Sequence, residues 1–334
     1  MKKSLLLSVA VFCGIVAFGQ QEFQPSQYLQ NIYILNPAAA GLRDYTDVNL
    51  GFRQQWAGFN GAPQTYYITA NSMLGKGSMG ANKIFALRVS DPYISLDNKE
   101  MDVDSKGTAV NRRVRHAVGG SFMVDKYGAF RQTVGALTYT VHVPLNQKLN
   151  LSAGVKGSIN NFLLDQSLIQ TFSDNDKLVT SIANSGNNSS TRFDANFGLM
   201  LYSDKFYAGY STGNLLQKSI EFGNVTLNSK FVLHQYLTAA YRFELSDNVG
   251  LTPSVLMKFA DNAPMATDLT AKVDYQRRMW LGFSLRPKDA FVTFVGFRML
   301  DFMSLGYSYD ATLSNIRSVS GGSHEIVLNF MLGK

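Results

Sequence analysis

Cysteine, charge and long apolar runs are all scarce in this 334-residue sequence, and each scarcity excludes something. The single cysteine is Cys13, inside the first 19 residues. A chain processed after Gly19 therefore has no thiol, which rules out disulfides, thiol catalysis and Cys-ligated metals. The four histidines, at 116, 142, 234 and 324, share no metal-ligand spacing, so no metal and no cofactor are expected. Charged residues make up 16% of the chain, against roughly 25% in ordinary soluble domains. Beyond residue 20 no apolar run approaches the roughly 18 residues that a membrane-crossing helix needs. Removing Lys2 and Lys3 from 31 basic residues leaves 29 against 24 acidic ones, a net charge of +5. That excess is spread along the chain and does not point to nucleic acid.

The first residues read as a secretory signal. Lys2 and Lys3 form a basic start, Leu5 to Phe18 an apolar core, and Ala17 and Gly19 the small residues before a cut. Phe12 is too bulky for the residue ahead of a lipidated cysteine, so Cys13 is read as part of that core. Residues 1–19 are the predicted signal peptide, which places the mature chain outside the cytoplasm.

Aromatic residues are abundant, at 12%, with 16 Tyr and 23 Phe. Many stretches alternate apolar and polar residues with a period of two, as amphipathic strands do. Val249, Leu251, Pro253, Val255 and Met257 share one parity, and Gly250, Thr252, Ser254 and Lys258 the other. Fourteen such strands are predicted, at 47–55, 64–73, 116–125, 131–142, 148–162, 192–201, 205–211, 231–244, 248–259, 266–275, 278–286, 290–298, 302–309 and 323–332. Composition alone fits a large soluble β-sandwich as well as a membrane barrel. The connections separate them. With both termini on one side, that side receives the tight turns 143–147, 202–204, 245–247, 276–277 and 299–301. The other side receives the long loops 163–191, 213–230 and 310–322. Short periplasmic turns with longer outer loops mark outer-membrane barrels. The expected fold is therefore all-β, a transmembrane antiparallel up-and-down β-barrel of about 14 strands with an N-terminal non-strand segment. Odd-numbered side chains from 231 to 285 should face lipid.

Three regions depart from this pattern. Residues 20–46 are rich in Gln, Asn and Tyr, and Asn36-Pro37-Ala38-Ala39-Ala40-Gly41 reads as a turn and a short compact segment. Proline restricts both itself and Asn36, and Gly41 lets the chain redirect. The segment either folds into the mouth of the barrel as a plug or frays. The barrel proper, 47–334, carries a long basic insertion at 75–115, which is either a solvated loop or a docking element for periplasmic components. At the first outer turn, Trp56 and Phe59 with Gly58 and Gly61 suit either an interfacial girdle or a partner contact.

Two strings suggest chemistry. Gly209-Tyr210-Ser211-Thr212-Gly213 matches G-x-S-x-G, but a nucleophile elbow needs a helix after the turn, and here the string closes a strand. Asp174-Asn175-Asp176 lacks the glycine and final glutamate of a calcium loop. An enzyme is not expected, and a barrel-borne hydrolase using Ser211 stays the alternative from another class, behind a passive channel.

Several stretches together resemble one family. They are Leu35 to Gly41, Arg53-Gln54-Gln55-Trp56-Ala57-Gly58-Phe59-Asn60-Gly61-Ala62-Pro63-Gln64-Thr65, Tyr202 to Gly209, Lys288-Asp289-Ala290, Gly306 to Asp310, and Gly321 to Ile326. The sequence is similar to the PorP/SprF membrane proteins of the Bacteroidetes type IX secretion system. That resemblance implies an outer-membrane component aiding export or surface attachment of secreted proteins or gliding adhesins. Its partners would be a substrate with a C-terminal sorting domain, periplasmic or lipoprotein components of the machinery, and outer-membrane lipid. The motif positions carried over as partner-binding candidates are Asn36, Pro37, Gly41, Arg53, Gln54, Trp56, Gly58, Phe59, Gly61, Pro63 and Gln64.

Overall fold

The structure, a computed structural model, describes residues 23–43, 45–58, 60–75, 114–146, 149–169, 188–217, 219–222, 225–230, 232–261 and 263–333. The expectations for residues 1–19, for Phe59, for the Asp174–Asp176 string and for all but the ends of the 75–115 insertion lie outside them.

Fourteen antiparallel strands close into a barrel. They are β1 (Thr46–Gln54), β2 (Gln64–Met73), β3 (Arg115–Tyr127), β4 (Phe130–Pro144), β5 (Asn150–Leu164), β6 (Ser189–Tyr202) and β7 (Phe206–Gly213), followed by β8 (His234–Tyr241, continued as Phe243–Ser246). Then come β9 (Val249–Ala260), β10 (Ala266–Tyr275), β11 (Met279–Arg286), β12 (Ala290–Leu300), β13 (Met303–Thr312) and β14 (Ser323–Leu332). Each pairs with its neighbours in sequence, and β1 closes on β14 from Thr46↔Leu332 to Gln54↔His324. Closure leaves no sheet edge among these strands, which is the condition for placing strands in lipid. The loop expected at 213–230 holds a further hairpin, Ser219–Phe222 with Val225–Lys230, and the strand read as starting at 231 begins at His234.

The alternation works as anticipated, with the usual polarity of a soluble protein reversed. In β11, Met279, Leu281, Phe283 and Leu285 are exposed, while Trp280, Ser284 and Arg286 are buried. Asp268, Lys272 and Asp274 face inward from β10, and Leu269, Val273 and Tyr275 face outward. An apolar exterior around a polar interior is the pattern of a barrel solvated by lipid.

The lumen is not empty. Residues 24–43 run lengthwise through it, with 3₁₀ turns at Ile32–Ile34 and Pro37–Ala39, and nearly all of this stretch is buried. Tyr28, Leu29, Ile32, Tyr33, Ala38 and Ala40 pack with Met200, Tyr202, Tyr207, Tyr236 and Leu256 into one core.

Candidate functional site

The inner segment is held at both ends of the barrel and along its length. At the end of the termini, Arg43 donates to Asp47 at 2.7 Å and to the Gln30 carbonyl at 2.7 Å. The Gly41 amide donates to Asn71 at 2.9 Å, at a positive φ of 73° that favours glycine. His142 on β4 lies between the Tyr202 hydroxyl and the Ala40 carbonyl, 2.8 Å from each. Thr140 and Ser152 donate to the carbonyls of Pro37 and Ala38, both at 2.8 Å.

Asn36 holds the middle. Its side chain accepts from the Ala38 amide at 2.9 Å, capping the turn that Pro37 begins. Its amide nitrogen donates to the carbonyls of Leu199 on β6 and Tyr210 on β7, at 3.1 and 3.3 Å. The segment lies this close to the wall because Gly154 and Gly198, cross-strand partners on β5 and β6, have no side chain. A Cβ on Gly198 would collide with Asn36 Oδ1, and one on Gly154 with the Pro37–Ala38 peptide.

Ser211 is part of the same seat. It is 1% exposed, lies within β7, and donates to the Leu35 carbonyl at 2.8 Å. The G-x-S-x-G string is thus part of a strand, and its serine hydroxyl fastens the inner segment. Tyr28 and Tyr33 hydrogen-bond to wall hydroxyls, Ser254 and Thr138 respectively, each at 2.8 Å.

At the opposite end the anchor is ionic. Glu325 on β14 accepts the backbone amides of Ser26 and Gln27 at 2.9 and 3.1 Å. Arg53 on β1 donates to Ser26 Oγ at 2.5 Å, pairs with Asp310 at 2.8 Å, and lies 3.6 Å from Glu325. Arg286 on β11 bridges Asp268 at 2.9 Å and Asp310 at 3.0 Å. Gln24 reaches Asp268 at 2.7 Å. Three carboxylates and two guanidinium groups thus surround Ser26, all of them buried.

Beside this anchor, and reaching to the middle of the strands, lies a cavity of about 680 Å³. Phe23, Gln24, Ile34 and Leu35 of the inner segment line it, with strand residues that include Thr69, Ser121, Ala136, Lys156 and Asn196. The first turn at that end is tied to the loop before β14. Ala57 exchanges backbone bonds with Gly322 and Gly321 at 2.7 and 2.6 Å, and the Trp56 amide donates to Ser323 Oγ at 3.1 Å.

The predicted motif residues therefore fall into two groups. Asn36, Pro37, Gly41 and Arg53 lie in the lumen as parts of the seat. Trp56, Gly58, Gly61 and Pro63 form the rim turn, where Trp56, Gly58 and Gly61 have positive φ and Trp56 and Pro63 line the cavity. Gln54 and Gln64 pair across β1 and β2 at 2.8 Å. Sequence reasoning missed Ser26, Asp268 and Arg286. A signal was present for two of these: Asp268 and Arg286 are charges on the inward parity of clearly alternating strands.

The sequence matches the family described as type IX secretion system membrane protein PorP/SprF over residues 17–330. The chain belongs to the PorP/SprF family. It is thus a type IX secretion membrane component. Among solved structures, the chain is similar to the CymD monoaromatic hydrocarbon channel, with 12% identity, a TM-score of 0.49, and 95% of each chain covered. It is also similar to the Pseudomonas putida toluene transporter TodX, with 8% identity, a TM-score of 0.45, and 93% of this chain and 94% of that one covered. For the Acinetobacter baumannii outer membrane protein Omp33 the values are 8%, 0.45, 86% and 99%. No curated protein matches the sequence.

Proposed function

We propose that this PorP/SprF protein sits in the bacterial outer membrane after loss of residues 1–19 and acts there as a closed platform. On this reading it aids the export or surface attachment of type IX substrates, secreted proteins or gliding adhesins, rather than conducting solutes. The observation that carries it is the seated inner segment. Residues 24–43 hydrogen-bond to β1, β2, β4–β7, β9–β11, β13 and β14, so the lumen is occupied by the protein's own chain. A passive channel needs a continuous aqueous path, and the interlocked segment stands across it.

The platform has two faces. The described ends of the 75–115 insertion, at Gly75 and Val114, lie on the side where β1 begins and β14 ends, which suits contact with periplasmic or lipoprotein components. The rim turn and the cavity face the other way, toward a secreted partner with a C-terminal sorting domain. The test is a comparison of secreted and surface proteins between a deletion strain and its parent. Loss of a defined set of type IX substrates is expected. An unchanged secretome would reject the role.

A further inference from the structure

The outer wall of the barrel carries one charged spot. On β3 and β4, Lys126 and Arg131 are exposed and stand on the outward-facing parity, with Phe122 and Leu137. On the other strands the residues of outward parity include no Lys, Arg, Asp or Glu, as a lipid-facing wall requires. Lys126 and Arg131 are direct cross-strand partners beside the turn that joins β3 to β4. That turn lies at the end away from where β1 begins and β14 ends.

Like charges placed directly opposite each other destabilise a strand pair. Among the described residues, neither Lys126 nor Arg131 forms an ion pair. Asp125 belongs to the inward parity and accepts from Thr65 at 2.7 Å. Asp165, whose amide donates to Ala129 in the turn, gives its carboxylate to the Ser167 hydroxyl at 2.6 Å. The missing counter-charge is therefore an anion from outside the chain.

The register supplies the surroundings. Lys126 pairs with Gln64, Gln64 with Gln54, and Gln54 with His324, so one polar row crosses β14, β1, β2, β3 and β4. Gln64 donates to Gln54 at 2.8 Å, and His324 Nδ1 lies 2.7 Å from the Tyr307 hydroxyl. One step nearer the middle of the wall stand Phe52 and Tyr66, with ring centroids 4.8 Å apart. Leu50, Ile68 and Phe122 follow. Aromatic residues mark the interface of a membrane barrel and apolar ones its hydrocarbon depth, which puts the polar row at headgroup height. Strands spaced at about 4.8 Å make the row about 19 Å wide from His324 to Arg131, wider than a single phosphate.

A guanidinium fork matches phosphate oxygens, an ammonium adds a point charge, and carboxamides both donate and accept. Cations beside carboxamides are the complement of a phosphate carried on a sugar. Resting on the outer-membrane location proposed above, we propose that this row binds the phosphorylated sugar headgroup of an outer-leaflet glycolipid. Lys126 and Arg131 hold the phosphate, Gln64, Gln54 and His324 meet the sugar hydroxyls, and the acyl chains lie along the aromatic and apolar residues below.

The experiment uses the full-length mature protein in detergent micelles and a fluorescent bisphosphorylated lipid A as the probe, read by anisotropy. Lys126→Gln/Arg131→Gln should weaken binding by about tenfold or more, the size expected for lost charge-assisted hydrogen bonds. Its assembly is checked by heat-modifiable gel mobility, and if it does not assemble, Arg131→Gln takes its place with a loss in the same direction. Lys205→Gln removes an exposed cation at the opposite rim, where it pairs with Glu244 at 3.9 Å, and should leave binding as it is. Removing the phosphates from the probe should cost as much as the double variant does. Unchanged binding by the double variant, or an equal loss in Lys205→Gln, overturns the assignment. Phosphatidylglycerol or inorganic phosphate competing as strongly as unlabelled lipid A also overturns it, because the row then answers to charge alone. Membrane fractionation that finds the protein outside the outer membrane removes the proposed location, and the micelle measurement then decides the site by itself.

Discussion

Arg53 is a motif residue whose side chain lies within the barrel. It stands in the stretch that resembles the family, beside aromatic and glycine residues at an exposed turn, and a partner contact was the natural expectation. Its side chain points into the lumen, where it holds Ser26 and Asp310 and faces Glu325. Removing one member of a buried ion cluster costs about 3–5 kcal/mol, because the remaining charges lose their compensation. Arg53→Met should therefore lower stability by about that amount, read from the urea midpoint of the heat-modifiable form. Adding Glu325→Gln removes the orphaned carboxylate, so the double variant should recover a large part of the loss. Strict additivity of the two changes would contradict direct coupling.

At the scale of elements, the strands were legible and the inner segment was only half so. Alternation located the fourteen strands to within a few residues because each separates lipid from lumen, and a period of two records that separation. The main misses have local causes. Pro144 and Tyr202 end their strands later than expected because β4, β5 and β6 keep pairing past the last clear alternation. Asn36-Pro37 announced a turn, yet what it docks against was hidden. The docking surface is an absence, the missing side chains of Gly154 and Gly198, on strands more than 100 residues away. Deleting residues 22–42 should raise single-channel conductance in planar bilayers well above that of the intact protein. Gly198→Val should move conductance the same way with the segment still present, because the valine occupies the space of Asn36. Equal conductance in all three proteins would mean the segment does not seal the lumen.

At the scale of the whole molecule, the two faces of the wall have opposite tolerances. Val295 lies near the middle of β12, 48% exposed, between Leu281 and Tyr307 on the flanking strands. Val295→Arg should cost about 2–4 kcal/mol if that surface meets the bilayer midplane, and Val295→Leu close to nothing. The readout is the urea midpoint after folding into lipid vesicles. Lysine and aspartate at 272 and 274, on the inner face, are by contrast native. The closed architecture and its polarity could be read from the sequence because they follow from repetition. The cavity could not, since its strand walls are completed by the inner segment, which is not a strand.

The ring of contacts around Ser26 joins the earliest described part of the chain to its final strand. Glu325, which grips the amides of Ser26 and Gln27, is the third residue of β14, and Arg53 opposite it belongs to β1. A barrel missing its last strand would lack both the pairing that closes the wall and the carboxylate that secures the start of the inner segment. The inner segment would then lose its hold at that end and become open to proteases. Completeness at the C-terminus is thereby reported at the N-terminus, and the same few side chains that fill the lumen distinguish a finished barrel from an unfinished one.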